Sequence, residues 1–140
     1  MISICLSGVF YCMQEELKCM LPKGFGRIVN VSSLAGVNGL GTAGDYSAAK
    51  HGVIGLTKTA ALEYGAFNTR VNAVCPGFIQ TNIMKDVTQK IQDYITEVRV
   101  PMKRVGRPEE VAESIVWLLS DSSSYVNGET LLLDGGFKAG

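Results

Sequence analysis

The chain has 140 residues, of which 46% are hydrophobic, and its 13 basic and 13 acidic residues cancel. That length and apolar content predict one domain with a single core. With no excess or run of either charge, the sequence lacks the electrostatic footprint of a protein that binds nucleic acid or an anionic membrane. No apolar run matches a spanning helix and the four cysteines are not spaced as metal ligands, so we expect a cytoplasmic protein without a metal site.

The first half of the chain predicts two helices on either side of a buried strand. Apolar residues between Cys5 and Met20 recur at helical spacing, and three of the cysteines would lie on the packed stripe. The segment RIVNVS, Arg27 to Ser32, is short and rich in β-branched residues, which is typical of a buried strand. A glycine-rich loop, Gly36 to Gly44, leads to a second helix that begins at Asp45 and ends near Gly65.

The second half predicts two further strands, Arg70 to Cys75 and Thr130 to Leu133. Between them, apolar residues from Asn82 to Arg99 keep helical spacing on a charged background, which indicates a marginal surface helix. Pro108 begins a last helix. Its expected buried stripe consists of Val111, Ala112, Ile115, Val116, Leu118 and Leu119.

Strands that alternate with helices predict parallel pairing in an α/β sheet. Three strands would make a thin sheet, whereas parallel strands normally have covered faces and paired neighbours. We therefore expect residues 1–140 to form a single domain that is incomplete on its N-terminal side.

One glycine pattern resembles a dinucleotide fingerprint. Gly39, Gly41 and Gly44 match G-x-G-x-x-G and precede a helix. In the true fingerprint, however, the first glycine follows directly on a strand, and an acidic residue about twenty positions later meets the ribose. Several residues separate this glycine from its strand and the next strand carries no carboxylate, so a flexible turn is the preferred interpretation.

Tyr46 and Lys50 form a stronger candidate for chemistry. Positions four residues apart share one helix face, and the small residues Ala49 and Gly52 would leave room for a flat ligand beside them. A neighbouring cation favours the ionised phenol, which makes tyrosine usable as an acid and base. The pattern Y-x-x-x-K by itself arises often by chance, with a solvated helix face as the alternative.

Two other segments strengthen the functional interpretation. Ser33 follows the first strand at its carboxyl end, and PGFIQT, Pro76 to Thr81, leaves the second strand at the same edge. Open α/β sheets bind ligands at that edge. We therefore expect three segments to meet in one crevice, with walls from the loop Leu34 to Gly44 and from the segment after Thr81.

The ordered set of motifs resembles the short-chain dehydrogenase/reductase family over nearly the whole chain. The matching segments are VNVSS, YSAAK thirteen residues after Ser33, RVNAVCPGFIQT and GRPEEVAESIVWLLSDSSSYVNGETLLLDGG. The resemblance implies the C-terminal part of a Rossmann-type, doubly wound parallel sheet that lacks the N-terminal nucleotide-binding strands. It also implies NAD(P)(H)-dependent hydride transfer between an alcohol and a ketone.

The resemblance assigns a role to each matching residue. Tyr46 would exchange a proton with the substrate oxygen, Lys50 would favour the ionised phenol and hold the nicotinamide ribose, and Ser33 would hydrogen-bond the substrate oxygen. Ser32, which points the other way on a strand, would be structural. The segment that meets the nicotinamide carboxamide and the pyrophosphate would contribute Pro76, Gly77, Ile79 and Thr81.

The sequence also departs from the family. The glycine-rich TGxxxGxG turn, the residue that selects NAD or NADP and the NNAG strand are not in it, and Cys5 stands where the family has an asparagine of the proton relay. Two hypotheses follow. The chain is either such an oxidoreductase, with 3-oxoacyl-carrier reductases as the nearest type, or a truncated, inactive form that associates with itself or with related subunits.

Overall fold

The computed structural model describes residues 1–85 and 87–139. Its three strands are β1 (Gly26–Val31), β2 (Thr69–Pro76) and β3 (Thr130–Leu133). They form a parallel sheet in the order β1-β2-β3, with Arg27 opposite Arg70 and Ala73 opposite Thr130. The α/β class and the parallel sheet are therefore as predicted, and each strand lies within one residue of the predicted bounds.

The α-helices are α1 (Gly8–Met20), α2 (Gly44–Tyr64), α3 (Asn82–Lys85), α4 (Gln89–Tyr94) and α5 (Pro108–Leu119). Single π turns precede α1 at Ser3–Ser7 and follow α4 at Ile95–Arg99. Short 3₁₀ turns occur at Leu21–Lys23, Leu34–Gly36, Gly65–Phe67 and Asp121–Ser123.

Helices cover both faces of the sheet. On one face α1 and α2 pack on β1 and β2 through a buried cluster of Met13, Leu17, Ile28, Ala60, Ala61 and Val71. On the other face α5 contacts the same two strands. Removal of these aliphatic side chains from water is the main stabilising contribution on the first face, on the order of 2 kcal/mol for each large one.

On the α5 face a buried arginine replaces part of the apolar contact. The Arg70 side chain is 6% exposed, and its guanidinium donates to the backbone oxygens of Leu118, Ser120 and Val126 at 2.9 to 3.1 Å. Because the last carbonyls of a helix have no partners within it, this side chain satisfies the end of α5 and joins it to β2. Burial lowers the pKa of Arg70 from its ordinary value.

Three predictions about the helices are wrong. Cys12 and Cys19 are exposed, so the cysteine stripe of α1 faces away from the core, which Met13 and Leu17 fill instead. Residues 82–99 do not form one helix but α3, α4 and a π turn, and Thr88, a β-branched residue with extended backbone, separates the first two. Of the predicted α5 stripe only Leu118 is buried, because the helix packs on just two strands.

The sheet has a central strand and an open edge. β2 is buried at every position from Thr69 to Cys75, whereas β1 pairs only with β2 among the described strands and ends in Val31, which is 48% exposed. All three strands run in the same direction, so their carboxyl ends meet at one edge of the sheet. The residues predicted to carry chemistry follow these ends.

Candidate active site

Ser32 and Ser33 follow β1 and serve different purposes. The Ser32 hydroxyl is buried and donates to the backbone oxygen of Lys50 at 2.9 Å, a structural contact of the kind predicted for it. Gly36 makes this contact possible, because a Cβ there would meet the Ser32 hydroxyl and lie 2.8 Å from the Lys50 oxygen. The Ser33 hydroxyl accepts from the Ala35 N–H at 3.1 Å, which leaves its own proton free to donate.

Tyr46 and Lys50 lie side by side on α2. The Lys50 Nζ is 5.7 Å from the centroid of the Tyr46 ring and donates to the Val31 oxygen at 2.9 Å. Val31 is the last residue of β1, so this hydrogen bond ties the lysine to the carboxyl edge of the sheet. A lysine has three N–H donors, and two of them remain for another ligand. Within the described part of the chain the Tyr46 hydroxyl has no hydrogen-bond partner.

Ala49 and Gly52 were predicted to leave room for a flat ligand beside this pair, and this prediction is wrong. Ala49 is fully buried, and a Cβ at Gly52 would lie 2.7 Å from a Leu6 methyl group. Both residues lie on the inner side of α2, where they let the helix pack against the sheet and the first turns of the chain. Small residues at this spacing indicate close packing as readily as they indicate an open ligand surface.

The segment after β2 is anchored at several points. The Gly77 N–H donates to the Leu133 oxygen at 3.0 Å, and a Cβ at Gly77 would lie 3.0 Å from the Asp134 backbone. Ile79 forms an isolated parallel bridge with Gly106. Pro76, Gly77 and Ile79 are half-buried and Thr81 is exposed. Glycine therefore lets this segment pass close to the end of β3, where a larger residue would push the Asp134 backbone away by a few tenths of an ångström.

A cavity of about 430 Å³ joins two of the three predicted segments. Ser33 and Gly77 both contribute to it. As predicted, its walls come from the loop after β1 and from the segment after Thr81. The lining residues of those walls are Leu34, Ala35, Asn38, Gly39, Leu40, Gly41, Phe78, Ile91, Tyr94, Ile95 and Arg99, together with Phe137. Tyr46, Lys50, Pro76, Ile79 and Thr81 do not line it.

Sequence reasoning missed the aromatic and charged part of this wall. The Phe78 and Phe137 rings meet edge to face at 5.6 Å, and the Arg99 guanidinium lies 4.6 Å from the Phe137 centroid. These residues are far apart in sequence and no single motif contains all of them, so only the three-dimensional fold brings them together. Their aromatic character was the one signal available, since Phe78 stands inside PGFIQT.

Cys75 lies at the end of β2, below the site. Its side chain is fully buried, and desolvation raises the pKa of the thiol above its ordinary value despite a hydrogen bond with the Ser32 side chain. A thiol with raised pKa holds less of the nucleophilic thiolate at neutral pH. Cys75 is therefore a packing residue and not a candidate nucleophile.

The part of the chain that the structure describes holds neither a candidate metal cluster nor a membrane-spanning helix. Residues 1–85 and 87–139 contain no group of three or more histidine, cysteine or acidic side chains that could hold a metal ion. None of their helices combines the length and the apolar character that crossing a membrane requires.

Helices on both faces of a parallel sheet, with polar side chains gathered at its carboxyl edge, define a Rossmann-type α/β protein. A family model described as "Enoyl-(Acyl carrier protein) reductase" matches residues 1–138. With the relatives described next, it shows that the chain belongs to the short-chain dehydrogenase/reductase family.

Relatives of known name extend this result. The chain is 45% identical to the 3-oxoacyl-(acyl-carrier-protein) reductase of Thermotoga maritima, over 96% of this chain and 54% of that one. It is 42% identical to the levodione reductase of Leifsonia aquatica, over 99% and 54%. The chain thus spans about half the length of the curated relatives it matches.

Solved structures of related enzymes show the same fold over about half of their length. A crystal structure of levodione reductase superposes with a TM-score of 0.92 at 40% identity, covering 99% of this chain and 56% of the other. A gluconate 5-dehydrogenase from Burkholderia cenocepacia, solved with NADP and tartrate, superposes with a TM-score of 0.94 at 28% identity, covering 99% and 55%. The three-stranded unit is therefore the fold of about half of a Rossmann-type dehydrogenase.

Proposed function

We propose that this chain supplies the catalytic, nicotinamide-facing half of an NAD(P)(H)-dependent oxidoreductase that interconverts an alcohol and a ketone. The observation that carries the proposal is the placement of Lys50 next to Tyr46 at the sheet edge where Ser33 enters a cavity. Relatives named as a reductase of 3-oxoacyl groups and as levodione reductase support the reaction class.

The donor set of the site suits a nicotinamide ribose. Lys50 retains two N–H donors after its hydrogen bond to the Val31 oxygen, enough for a pair of vicinal hydroxyls. In the proposal Pro76, Gly77, Ile79 and Thr81 face the carboxamide and the pyrophosphate. A bound nicotinamide would supply the hydride acceptor or donor. Either NAD or NADP fits the proposal, and the gluconate 5-dehydrogenase was solved with NADP.

Each side chain then has a separate task at the substrate oxygen. The Tyr46 phenol gives up or takes the proton, and the Lys50 ammonium lies beside it. The Ser33 hydroxyl, whose oxygen already accepts from the Ala35 N–H, is oriented to donate to the developing oxyanion. A 3-oxoacyl thioester serves as the assay substrate for this reaction class, because one relative carries that name.

A second candidate function rests on the length of the chain and on its surface. The chain spans about half of its relatives, and several large apolar side chains are exposed, with Ile4 at 78%, Tyr11 at 63% and Val116 at 66%. Exposed apolar surface of this kind favours association with a second copy or a related subunit. In this alternative the chain is an inactive form with an interaction role, in the cytoplasm like the active enzyme.

Cofactor binding and turnover separate the two candidates. Purified chain is titrated with NADH and with NADPH, followed by nucleotide fluorescence, and then assayed for reduction of a 3-oxoacyl thioester. The first candidate predicts binding of one nucleotide and a turnover that Tyr46→Phe lowers at least about 100-fold, the usual effect of losing a general acid. Absence of nucleotide binding would favour the interaction role.

The control variant is Tyr125→Phe. Tyr125 is fully exposed and far along the chain from the site, so the same loss of a phenol hydroxyl there leaves turnover unchanged. Equal rates for the Tyr46→Phe variant and the native chain would remove tyrosine from the mechanism.

A further inference from the structure

The described lining of the cavity at Ser33 carries a single positive charge among neutral residues. Its described lining consists of apolar, aromatic, glycine and neutral polar residues, with Arg99 as the one charged side chain. At about 430 Å³ it falls in the range of small-molecule sites, roughly 300–1,000 Å³. A cavity of this kind favours a ligand with an apolar body and one negative group over a neutral or cationic ligand.

Arg99 is held by an aromatic ring. Its guanidinium lies 4.6 Å from the Phe137 centroid, and Phe137 contacts Phe78 at 5.6 Å. Lys138 donates to the Val37 oxygen, which fixes the C-terminal segment carrying Phe137 against the loop after β1. Among residues 1–85 and 87–139, no carboxylate forms an ion pair with Arg99. Within the described fold its positive charge is therefore not neutralised by an acidic side chain.

The neutral polar lining supports one orientation of a ligand. Ser33 follows the end of β1, while Arg99 is the last residue of the π turn that follows α4, so the two come from different walls of the cavity. Tyr94 and Phe137 line the apolar surface near Arg99. A guanidinium binds a carboxylate through two parallel hydrogen bonds, and stacking on a ring limits the motion of its plane.

We propose that Arg99 is a specificity residue that selects carbonyl and alcohol substrates carrying a carboxylate. The carboxylate pairs with the guanidinium, the apolar body rests on Tyr94 and Phe137, and the oxygen to be oxidised or reduced points to Ser33. The assignment of the reacting end rests on the proposed function. The assignment of the carboxylate to Arg99 rests only on the residues that line the cavity.

Binding of a matched pair of ligands tests the proposal. The probes are 4-oxocyclohexanecarboxylate and its neutral carboxamide, titrated into ¹⁵N-labelled chain and followed by amide chemical shifts. We expect the carboxylate to bind about fivefold more tightly than the amide, an effect moderated by the exposure of Arg99. The shifts should include Ser33 and Phe137.

Two variants assign the preference to a residue. Arg99→Gln should remove the preference and leave amide binding within about twofold, whereas Arg99→Lys should restore part of it, since a point charge remains without the planar contact. Lys90→Gln is the matched control: it removes the same charge from exposed α4 surface outside the cavity and should leave the preference unchanged.

Three outcomes of these titrations would contradict the proposal. Equal binding of both probes, binding of neither, or a preference that survives Arg99→Gln would each exclude Arg99 as the selecting residue. Failure of the proposed function gives a different result, because charge-selective binding would persist in a chain that binds no nucleotide and turns over no substrate.

Discussion

The four cysteines differ in what surrounds each thiol. Cys12 and Cys19 are exposed on α1, Cys5 is half-buried, and Cys75 is buried in β2 with its pKa raised by desolvation. At neutral pH we expect N-ethylmaleimide to modify Cys12 and Cys19 first and to reach Cys75 only in denaturant, because the buried thiol lacks both access and thiolate character. Peptide mass spectrometry after timed quenching measures the order.

Cys75→Ala provides the control for that order. Labelling of Cys12 and Cys19 should keep its rate in this variant, which shows that the reagent reports on each thiol separately. Modification of Cys75 in the folded chain at the rate of Cys12 would mean that β2 opens readily, contrary to its position at the centre of the sheet.

At the level of single residues, the sequence predicted some contacts and missed others. The thirteen-residue interval to Tyr46 in the family resemblance selected Ser33, and Ser32, predicted to be structural, does donate to the Lys50 oxygen within the fold. His51 is exposed on α2, with its Nδ1 2.9 Å from the Ser47 oxygen. The contact of Arg99 with Phe137 was not predictable, because it joins residues that no periodicity relates.

At the level of elements, the start of α5 depends on one carboxylate. Glu110 accepts two hydrogen bonds from Arg104, at 2.7 and 2.8 Å, and one from the Arg107 N–H at 2.7 Å. The Arg104 guanidinium, followed by that backbone N–H, lowers the pKa of Glu110 from 4.5 to about 2. The ionised form is therefore favoured by folding.

The sign of the pH dependence follows from this lowered pKa. The contribution of Glu110 to stability is present above the unfolded value of 4.5 and is lost as pH falls towards 2. We expect Glu110→Gln to lower the melting temperature by a few degrees at neutral pH, and the difference from the native chain to vanish near pH 2. Melting curves followed by circular dichroism across this range provide the measurement.

Glu109→Gln is the matched control for Glu110→Gln. Glu109 is its exposed neighbour in the first turn of α5, where a carboxylate interacts with the helix dipole alone. Its substitution should change the melting temperature less than Glu110→Gln does, because the hydrogen bonds from Arg104 and Arg107 go to Glu110. A Glu110→Gln variant that behaves like Glu109→Gln would show that the Arg104 pair contributes nothing measurable.

Helical spacing predicted where helices occur more reliably than which side they bury. On α5 the apolar spacing placed Val116 and Leu119 in the core, yet they are 66% and 40% exposed. Apolar residues at helical spacing mark each helix face that packs on another surface, whether that surface belongs to the same chain or to another part of an assembly. The three strands described here provide only a narrow surface for α5 to cover.

For the molecule as a whole, the sequence predicted the parallel sheet because three short β-branched segments alternate with helices. It also predicted that three segments meet in one crevice, of which two contribute to the cavity, through Ser33 and Gly77. Tyr46, on α2, does not line the cavity. Motif spacing places residues at an edge of the sheet but does not say which side of it each one faces.

The open edge of β1 gives a prediction for the molecule as a whole. Successive residues of a parallel strand direct their amides to opposite neighbours. The N–H groups of Gly26 and Ser32 point towards β2, at 3.2 Å from the Asn68 oxygen and 2.9 Å from the Val74 oxygen. By alternation, Arg27, Val29 and Val31 direct theirs to the open edge.

Hydrogen exchange resolved by residue tests this alternation. The amides of Arg27, Val29 and Val31 should exchange at least about tenfold faster than those of Ile28 and Asn30, because only the latter are held by β2. Amides on both sides of β2 serve as the internal control. Uniform protection along β1 would mean that another strand covers the edge, and loss of that protection on dilution would identify the cover as a second copy of the chain.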